Sequence, residues 1–325
     1  MRVLIIHNVA SGFGSDAIYE FLRHLQHEGD ECVVRILNVD APDHGRSMLT
    51  DAEDFDLVVV SGGDGTVATL LYILRNRGVL TCVFPSGTAN LYFLNVGNSA
   101  DPSAIARACR VGHSASCDLG EIMWFDEWGV KRRQGFSIMA GIGFDAQIMQ
   151  TAIPAKRTMG QAAYFAAALK HLRPEVQNFR IVVDGEEYES RGIGCIVANN
   201  AMIQGEVDLI PGCTMCDGLL DVLVLEADVT PQLLHPILTG FVDHDGKKVR
   251  PHLRSFSGTD IEIRADRPMS MEIDGDPMEG LVSRYRARCI PGANQIIVDP
   301  LSRYAAVDDN AAPLFGHTDE IAFPQ

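Results

Sequence analysis

In the first third of the chain, short apolar runs at residues 3–6, 32–37, 57–60 and 79–84 alternate with segments of helical spacing. The clearest helix spans 16–27, with Ile18, Phe21, Leu22 and Leu25 on one face. Further helices are predicted over 67–75, 88–94 and 103–109. Continuous apolar strands separated by helices imply a parallel sheet covered on both faces, so residues 1–113 are expected to form an open α/β layer. From about residue 114 the pattern changes. Apart from a helical stretch over 160–172 it becomes strand-like, at 134–140, 178–183, 192–198, 219–225, 260–264, 269–273 and 281–289. Several of these alternate, such as Ile261 and Ile263 against Glu262 and Arg264. Residues 114–298 therefore read as a β-rich, sandwich-like second domain, with the Gly-Lys-Lys at 246–248 in a loop. The acidic, weakly periodic segment 299–325 reads as a packed stub followed by a partly disordered tail.

Length agrees with two domains: 325 residues exceed one ordinary domain. Apolar residues at 46% and charged ones at 22% exclude whole-chain disorder. No apolar run approaches the roughly 18 residues of a membrane span, and the best candidate, 161–169, is far too short. The N-terminal apolar run ends at His7-Asn8 without a small-residue cleavage site, so it reads as a first strand, and a cytoplasmic protein is expected. The net charge of −16 is spread along the whole chain, which argues against a nucleic-acid partner. Eight cysteines lack framework spacing and are expected as reduced thiols; the lone pair Cys213-Thr-Met-Cys216 makes a poor zinc site.

Ligands of open parallel sheets lie beyond the carboxyl ends of the strands. The loop after the third strand, Ser61-Gly62-Gly63-Asp64-Gly65-Thr66, is rich enough in glycine for backbone N–H groups to approach phosphate oxygens. Thr66 is placed to cap the following helix, and Asp64 to hold Mg²⁺ against a nucleotide. The loop Pro85-Ser86-Gly87-Thr88-Ala89-Asn90 offers Gly and Thr at a second helix start, and the first loop runs from Asn8 to Gly14. Three such loops on one sheet edge point to a nucleoside triphosphate site. Competing motifs fail: the chain has no GxxxxGK[ST], HExxH or GxSxG. The GxGxxA match at Gly141–Ala146 lies in the β-rich half without a following βαβ unit.

Ser61–Thr66 together with Pro85–Asn90 resembles the catalytic domain of the soluble diacylglycerol kinase family, which includes bacterial diacylglycerol kinases and eukaryotic sphingosine kinases. The likeness covers roughly residues 1–298 and continues through Asp118-Leu-Gly, Gly141-Ile-Gly-Phe-Asp145, Asp217-Gly-Leu-Leu-Asp221-Val and Asp274-Gly275-Asp276. The resemblance implies an ATP- and Mg²⁺-dependent kinase acting on a hydroxyl of a membrane lipid, in a cleft between an NAD kinase/phosphofructokinase-like α/β domain and the β-rich domain. By the same resemblance, Asp64 organises Mg²⁺–ATP, while Gly62, Gly63, Gly65, Thr66, Gly87 and Thr88 cradle phosphates with Asn8 nearby. Asp276 is the general base, and a structural magnesium sits against Asp217 with backbone oxygens of Thr214 and Leu219.

Hairpin-turn chemistry is the competing reading for Asp217, Asp221 and Asp276. Leu91 stands where family members often carry Asp, the first loop reads NVASG instead of NPxSG, and Asp276 is one methylene shorter than the commoner Glu. A catalytically silent lipid- or nucleotide-binding member and an NAD kinase-like enzyme are the alternatives; a homodimer is compatible with all three. Arg284, Arg286 and Arg288 alternate along one predicted strand and are expected on one face, either solvated or against lipid headgroups in peripheral membrane contact.

Overall fold

A computed structural model of the chain describes residues 1–12, 16–41, 43–143, 175–203, 207–208, 210, 212–228, 232 and 251–305. The helix expected over 160–172, the loop at 246–248, the end of the GxGxxA match and the tail after residue 305 lie outside the described residues.

The first part alternates as expected: β1 (Arg2–His7), α1 (Ala17–Leu25), β2 (Glu31–Ile36), β3 (Leu57–Gly62), α2 (Asp64–Leu74), β4 (Leu80–Pro85), α3 (Leu91–Val96) and α4 (Pro102–Val111). Its strands lie in the order β4-β3-β1-β2, all parallel. Val3–Ile6 and Leu57–Val60 are fully buried in the centre of that sheet, each side chain contributing about 1.5–3 kcal/mol relative to exposure. α4 begins with Asp101, whose carboxylate accepts the Ala104 N–H at 2.9 Å, and ends on Gly112 in the left-handed region.

The remainder is β-structure: β5 (Ser114–Phe125), β6 (Lys131–Phe136), β7 (Met139–Ile142), β8 (Gln177–Val183), β9 (Glu186–Gly192), β10 (Gly194–Ala198), the small pair β11 (Met202–Ile203) and β12 (Val207–Asp208), β13 (Leu220–Leu225), β14 (Leu253–Gly258), β15 (Asp260–Ile273) and β16 (Asp276–Ile297). The segments expected at 260–264 and 269–273 are one strand with a register irregularity between them. Before the irregularity β15 pairs with β8, and beyond it with β7. An interruption of this kind lets one strand pass from one layer of a sandwich to the other. The layers enclose a second core of Phe136, Phe179, Val197, Val222, Ile263 and their neighbours. Tyr285 spans it, its hydroxyl donating to the Cys195 carbonyl at 2.9 Å.

β16 joins the two halves. It is 22 residues long and runs antiparallel to β15 and β5, then parallel to β4 at Gln295 and Ile296. Ile296, Ile297, Val298 and Tyr304 are buried in the same core as β1 and β3, so the chain returns to the first domain at its end. Among the described residues, no helix is long and apolar enough to cross a membrane.

Candidate functional site

The three loops anticipated on the sheet edge converge. The Asn8 backbone N–H donates to the Ser61 carbonyl at 2.9 Å, and its side-chain amide donates to Thr66 Oγ1 at 2.8 Å. Gly63 N–H reaches Ser11 Oγ at 3.2 Å, and Ser86 N–H reaches the Gly62 carbonyl at 3.2 Å. Gly63 and Gly87 pack backbone to backbone, so a Cβ at Gly87 would collide with Gly63 and approach Asn90 Oδ1 to 2.9 Å. Glycine at position 87 is required by this close approach, whereas a Cβ on Gly63 would stand an ordinary 3.5 Å from Gly87. Beneath them, His7 Nδ1 lies 2.9 Å from Ser61 Oγ, and Ser61 Oγ lies 2.7 Å from Ser86 Oγ, a largely buried chain linking β1, β3 and the loop after β4. Burial lowers the pKa of His7 from 6.5.

Two local expectations change. α2 starts at Asp64 with Gly63 at its N-cap, so Thr66 lies inside the first turn and does not cap the helix; its hydroxyl is engaged by Asn8. α3 starts at Leu91, so Thr88 is a loop residue and not a helix start. The reason is Asn90, which takes a left-handed φ of 50° and closes the loop on Gly87, accepting its N–H at 2.7 Å and donating to its carbonyl at 2.8 Å.

Asp64 is turned toward α3. Its Oδ1 accepts the Tyr92 N–H at 3.0 Å, and the amides of Leu91 and Asn90 also lower its pKa, although burial is the larger effect and raises it. The carboxylate thus ties the 61–66 loop to the 85–90 loop, and any role with Mg²⁺ is shared with this fastening. Leu91, in place of the family's Asp, packs against the first core.

Asp276 reaches the same place from the other domain. It is exposed at the start of β16, and its Oδ2 lies 2.8 Å from where a Cβ on Gly65 would stand. A carboxylate of the β-rich domain therefore touches the glycine-rich loop of the α/β domain.

Asp274 and Gly275 form a two-residue hairpin turn with φ of 49° and 86°, the left-handed pair of a type I′ turn. That turn separates the two carboxylates. Asp274 is buried, with Oδ2 accepting Ser137 N–H at 2.7 Å and Ser137 Oγ–H at 3.0 Å, and Oδ1 accepting the N–H groups of Ile138 and Met139 at 2.8 and 3.0 Å. Burial pushes its pKa up to about 6 against the pull of these donors. The same bonds explain why the strand expected over 134–140 divides into β6 and β7: the amides at the break are spent on Asp274.

Thr214, Asp217 and Leu219 form a separate group. Asp217 Oδ1 accepts the Leu219 N–H at 2.9 Å, and burial raises the pKa of the exposed-edge carboxylate. Asp118, unassigned by the sequence reasoning, fixes this loop. Its two oxygens accept Gly218 N–H and Gly292 N–H, both at 2.7 Å, and its own N–H donates to the Met215 carbonyl. Asn199, also missed, bridges the groups by donating to the carbonyls of Asp118 and Ser137 at 3.0 Å each. Its only sequence signal is a polar residue directly after an apolar strand. Among the described residues no cluster of three or more His, Cys, Asp or Glu side chains could hold a metal. One carboxylate with backbone oxygens still suits a magnesium that keeps most of its water. Asp221 is buried with Oδ1 on Ser257 Oγ, a structural contact. The Cys213 and Cys216 thiols face different partners, Ala201 N–H at 3.1 Å and Cys117 Sγ at 3.7 Å, so they do not form a chelate.

A profile of the diacylglycerol kinase catalytic domain matches residues 2–122, and one of the YegS C-terminal NAD kinase beta sandwich-like domain matches 138–298. A protein named "Diacylglycerol kinase" from Mycobacterium tuberculosis (strain H37Rv) is 30% identical over 247 residues, covering 74% of this chain and 78% of that protein. The chain belongs to the diacylglycerol kinase/YegS family. A "Probable lipid kinase YegS-like" protein of Pseudomonas fluorescens is 29% identical over 248 residues, or 74% of this chain and 76% of its own length. In fold, the family's two-domain arrangement is shared with a diacylglycerol kinase crystal structure from Bacillus anthracis str. Sterne, with TM-score 0.63 at 20% identity over 93% of this chain and 98% of that one. Yeast NADH kinase in complex with NADH shares it more distantly, with TM-score 0.50 at 12% identity over 95% and 85% of the two chains.

Proposed function

We propose that this member of the diacylglycerol kinase/YegS family transfers the γ-phosphoryl group of ATP to a hydroxyl of a diacylglycerol-like membrane lipid. The observation that carries the reading is the contact of Asp276 with Gly65, which brings a carboxylate of one domain to the phosphate-type loop of the other. Phosphoryl transfer demands positioning, charge neutralisation and one acceptor for the hydroxyl proton. Gly62, Gly63, Gly65, Thr66, Gly87, Thr88 and Asn8 would position the phosphates through backbone amides and hydroxyls. Asp276 would accept the proton as the lipid oxygen attacks. Mg²⁺ bound with ATP would supply charge neutralisation, and Asp64 would share in holding it beside its bond to the Tyr92 N–H. Asp217, with backbone oxygens of Thr214 and Leu219, would hold a second, structural magnesium whose effect is on the loop that Asp118 anchors.

The test is transfer of labelled phosphate from ATP into diacylglycerol, run beside NAD as acceptor, with and without Mg²⁺. Label in the lipid only when Mg²⁺ is present supports the proposal. Label in NAD would favour the soluble-kinase alternative. No label in either, with ATP still bound, would favour a silent binding protein.

A further inference from the structure

The β5–β6 hairpin ends in a tip that leaves apolar side chains in water: Phe125 is 60% exposed, Trp128 73% and Val130 48%. The tip is held firmly. Asp126 exchanges backbone bonds with Val130 and Gly129, and its Oδ1 accepts the N–H groups of Trp128 and Val130 at 3.1 and 2.8 Å. Its Oδ2 accepts from Arg132 Nε at 2.7 Å. Behind the tip, the pairing register sets Lys131 opposite Phe125 and Arg133 opposite Met123, which in turn faces Arg286 on β16. A groove there is lined by Lys131, Arg133, Arg284, Arg286 and Arg288, and the three β16 arginines emerge on one face. Asp260 pairs with Arg286 and Arg288, Glu262 with Arg284, and Glu121 with Arg133. The groove thus holds five cations against three carboxylates, a local positive excess on a chain of net charge −16, while at the tip itself Asp126 pairs with Arg132 and Glu127 is exposed beside Trp128. Lys131 makes no ion pair among the described residues.

We infer that this hairpin docks the protein on an anionic membrane surface, with Phe125, Trp128 and Val130 entering the headgroup–acyl boundary and the basic groove meeting lipid phosphates. An apolar tip with cations set back from it matches the order of layers met on entering a bilayer. Three side chains are too small a patch for a stable protein interface, which needs roughly 800 Å² per partner. Exposed ion pairs are weak and exchange readily for phosphate. The hairpin is also coupled to the site. Gly135 of β6 lies under Tyr72 of α2, and Tyr72 Oη bonds Glu121 of β5. Gly65 is in the first turn of that same helix, about 10 Å along its axis. For its purpose the inference rests on the lipid-kinase reading; its binding test does not.

Trp124 is buried and Trp128 exposed, and the chain has two tryptophans, so emission reports on the tip. The full chain is titrated with phosphatidylglycerol vesicles and with phosphatidylcholine vesicles. A blue shift with the anionic vesicles is expected, absent in Trp128→Ser. Co-sedimentation should fall at least about tenfold in Phe125→Ser/Trp128→Ser/Val130→Ser and weaken in Lys131→Gln/Arg133→Gln, with a reduced salt dependence in the latter. The triple variant should phosphorylate dispersed dihexanoylglycerol at the wild-type rate but bilayer-embedded diacylglycerol about tenfold more slowly. Equal binding to both vesicle types, or a shift that appears with protein concentration in the absence of vesicles, would overturn the inference. Vesicle binding without turnover of either lipid would leave the docking surface standing and count against the kinase reading instead.

Discussion

Two carboxylates flank one glycine at the end of β15, and their opposite surroundings, one buried and bonded and one exposed beside Gly65, assign them roles that a pair of variants can test. Asp274→Asn replaces one oxygen of a buried carboxylate by an NH₂ group facing N–H or O–H donors. With the NH₂ toward Ile138 and Met139 two of the four bonds are lost; toward Ser137 the serine hydroxyl can turn to accept, but the Ser137 N–H bond becomes an opposition of two N–H groups. Bonds to a charged acceptor are worth about 1.5–3 kcal/mol each, so the gross loss is about 3–6 kcal/mol. Part is returned because the variant no longer buries a charge. Burial pushes Asp274 from 3.8 up to about 6, and each unit is worth about 1.4 kcal/mol. That returns about 3 kcal/mol, so a net destabilisation of up to about 3 kcal/mol at neutral pH follows, read as a lower urea midpoint by circular dichroism. Asp276→Asn changes an exposed side chain and should move stability by no more than about 0.5 kcal/mol. Its cost falls on turnover, with kcat for transfer of labelled phosphate into diacylglycerol micelles dropping roughly 10²–10⁴-fold while ATP affinity holds. Asp276→Glu should retain most activity. Wild-type turnover in Asp276→Asn, or lost turnover with undiminished stability in Asp274→Asn, would show that the base has been assigned to the wrong residue.

Gly65→Ala should separate stability from activity in the opposite sense: alanine gains about 1 kcal/mol of helix propensity in the first turns of α2, but its methyl would stand 2.8 Å from Asp276 Oδ2. Thermal stability should hold or rise while kcat falls roughly 10²-fold from displacement of the base, and an active Gly65→Ala enzyme would remove this contact from the mechanism. His7→Gln tests the buried chain beneath the loops. Burial lowers the folded-state pKa of His7 below 6.5, so its contribution to stability is complete above pH 6.5 and is lost as pH falls through the folded value. Urea midpoints measured across about pH 5–7.5 should slope less in His7→Gln than in the wild type, and parallel slopes would place the titration elsewhere.

Much of the α/β layer was legible because its signals are local. Apolar runs such as Leu57–Val60 and the helical spacing of Ile18, Phe21 and Leu25 require no knowledge of distant residues, and the glycines of 61–66 and 85–90 announce close backbone approach. Helix starts were misplaced where a side chain outcompeted the local pattern, as Asn90 does by closing its loop on Gly87. β5, β9 and β14 were not foreseen. β9 reads Glu-Glu-Tyr-Glu-Ser-Arg-Gly, a sequence with almost no apolar alternation, held as a strand by its pairing with β8. The alternation of Arg284, Arg286 and Arg288 was readable, but the acids facing them were not, because Asp260 and Glu262 come from another strand. Likewise Asp64 looks from its loop like a free metal ligand. Only the tertiary fold shows the α3 amides that it accepts.

The least legible feature is the one that joins the two halves of the site. β16 begins at Asp276 and ends beside β4, whose carboxyl end leads into the Gly87 loop, so the proposed base and one phosphate loop are attached to neighbouring strands of one hydrogen-bonded sheet. A flexible linker between domains would let the base drift. Here the pairing of β16 with β15 shifts register near Leu281, close to the base, and its pairing with β5 is interrupted once, between Ile290 and Asn294, where Pro291 removes a donor and Gly292 takes φ of 55°. That interruption is the natural place for the halves to flex. Asp118 closes it by accepting the Gly292 N–H with one oxygen and the Gly218 N–H with the other. A buried carboxylate spent in this way contributes no chemistry of its own, yet it fixes both the irregular turn of β16 and the loop carrying Asp217. The Asp118-Leu-Gly motif is therefore best understood as the fastener that holds the strand bearing the proposed base in register with the sheet that carries the glycine-rich loops.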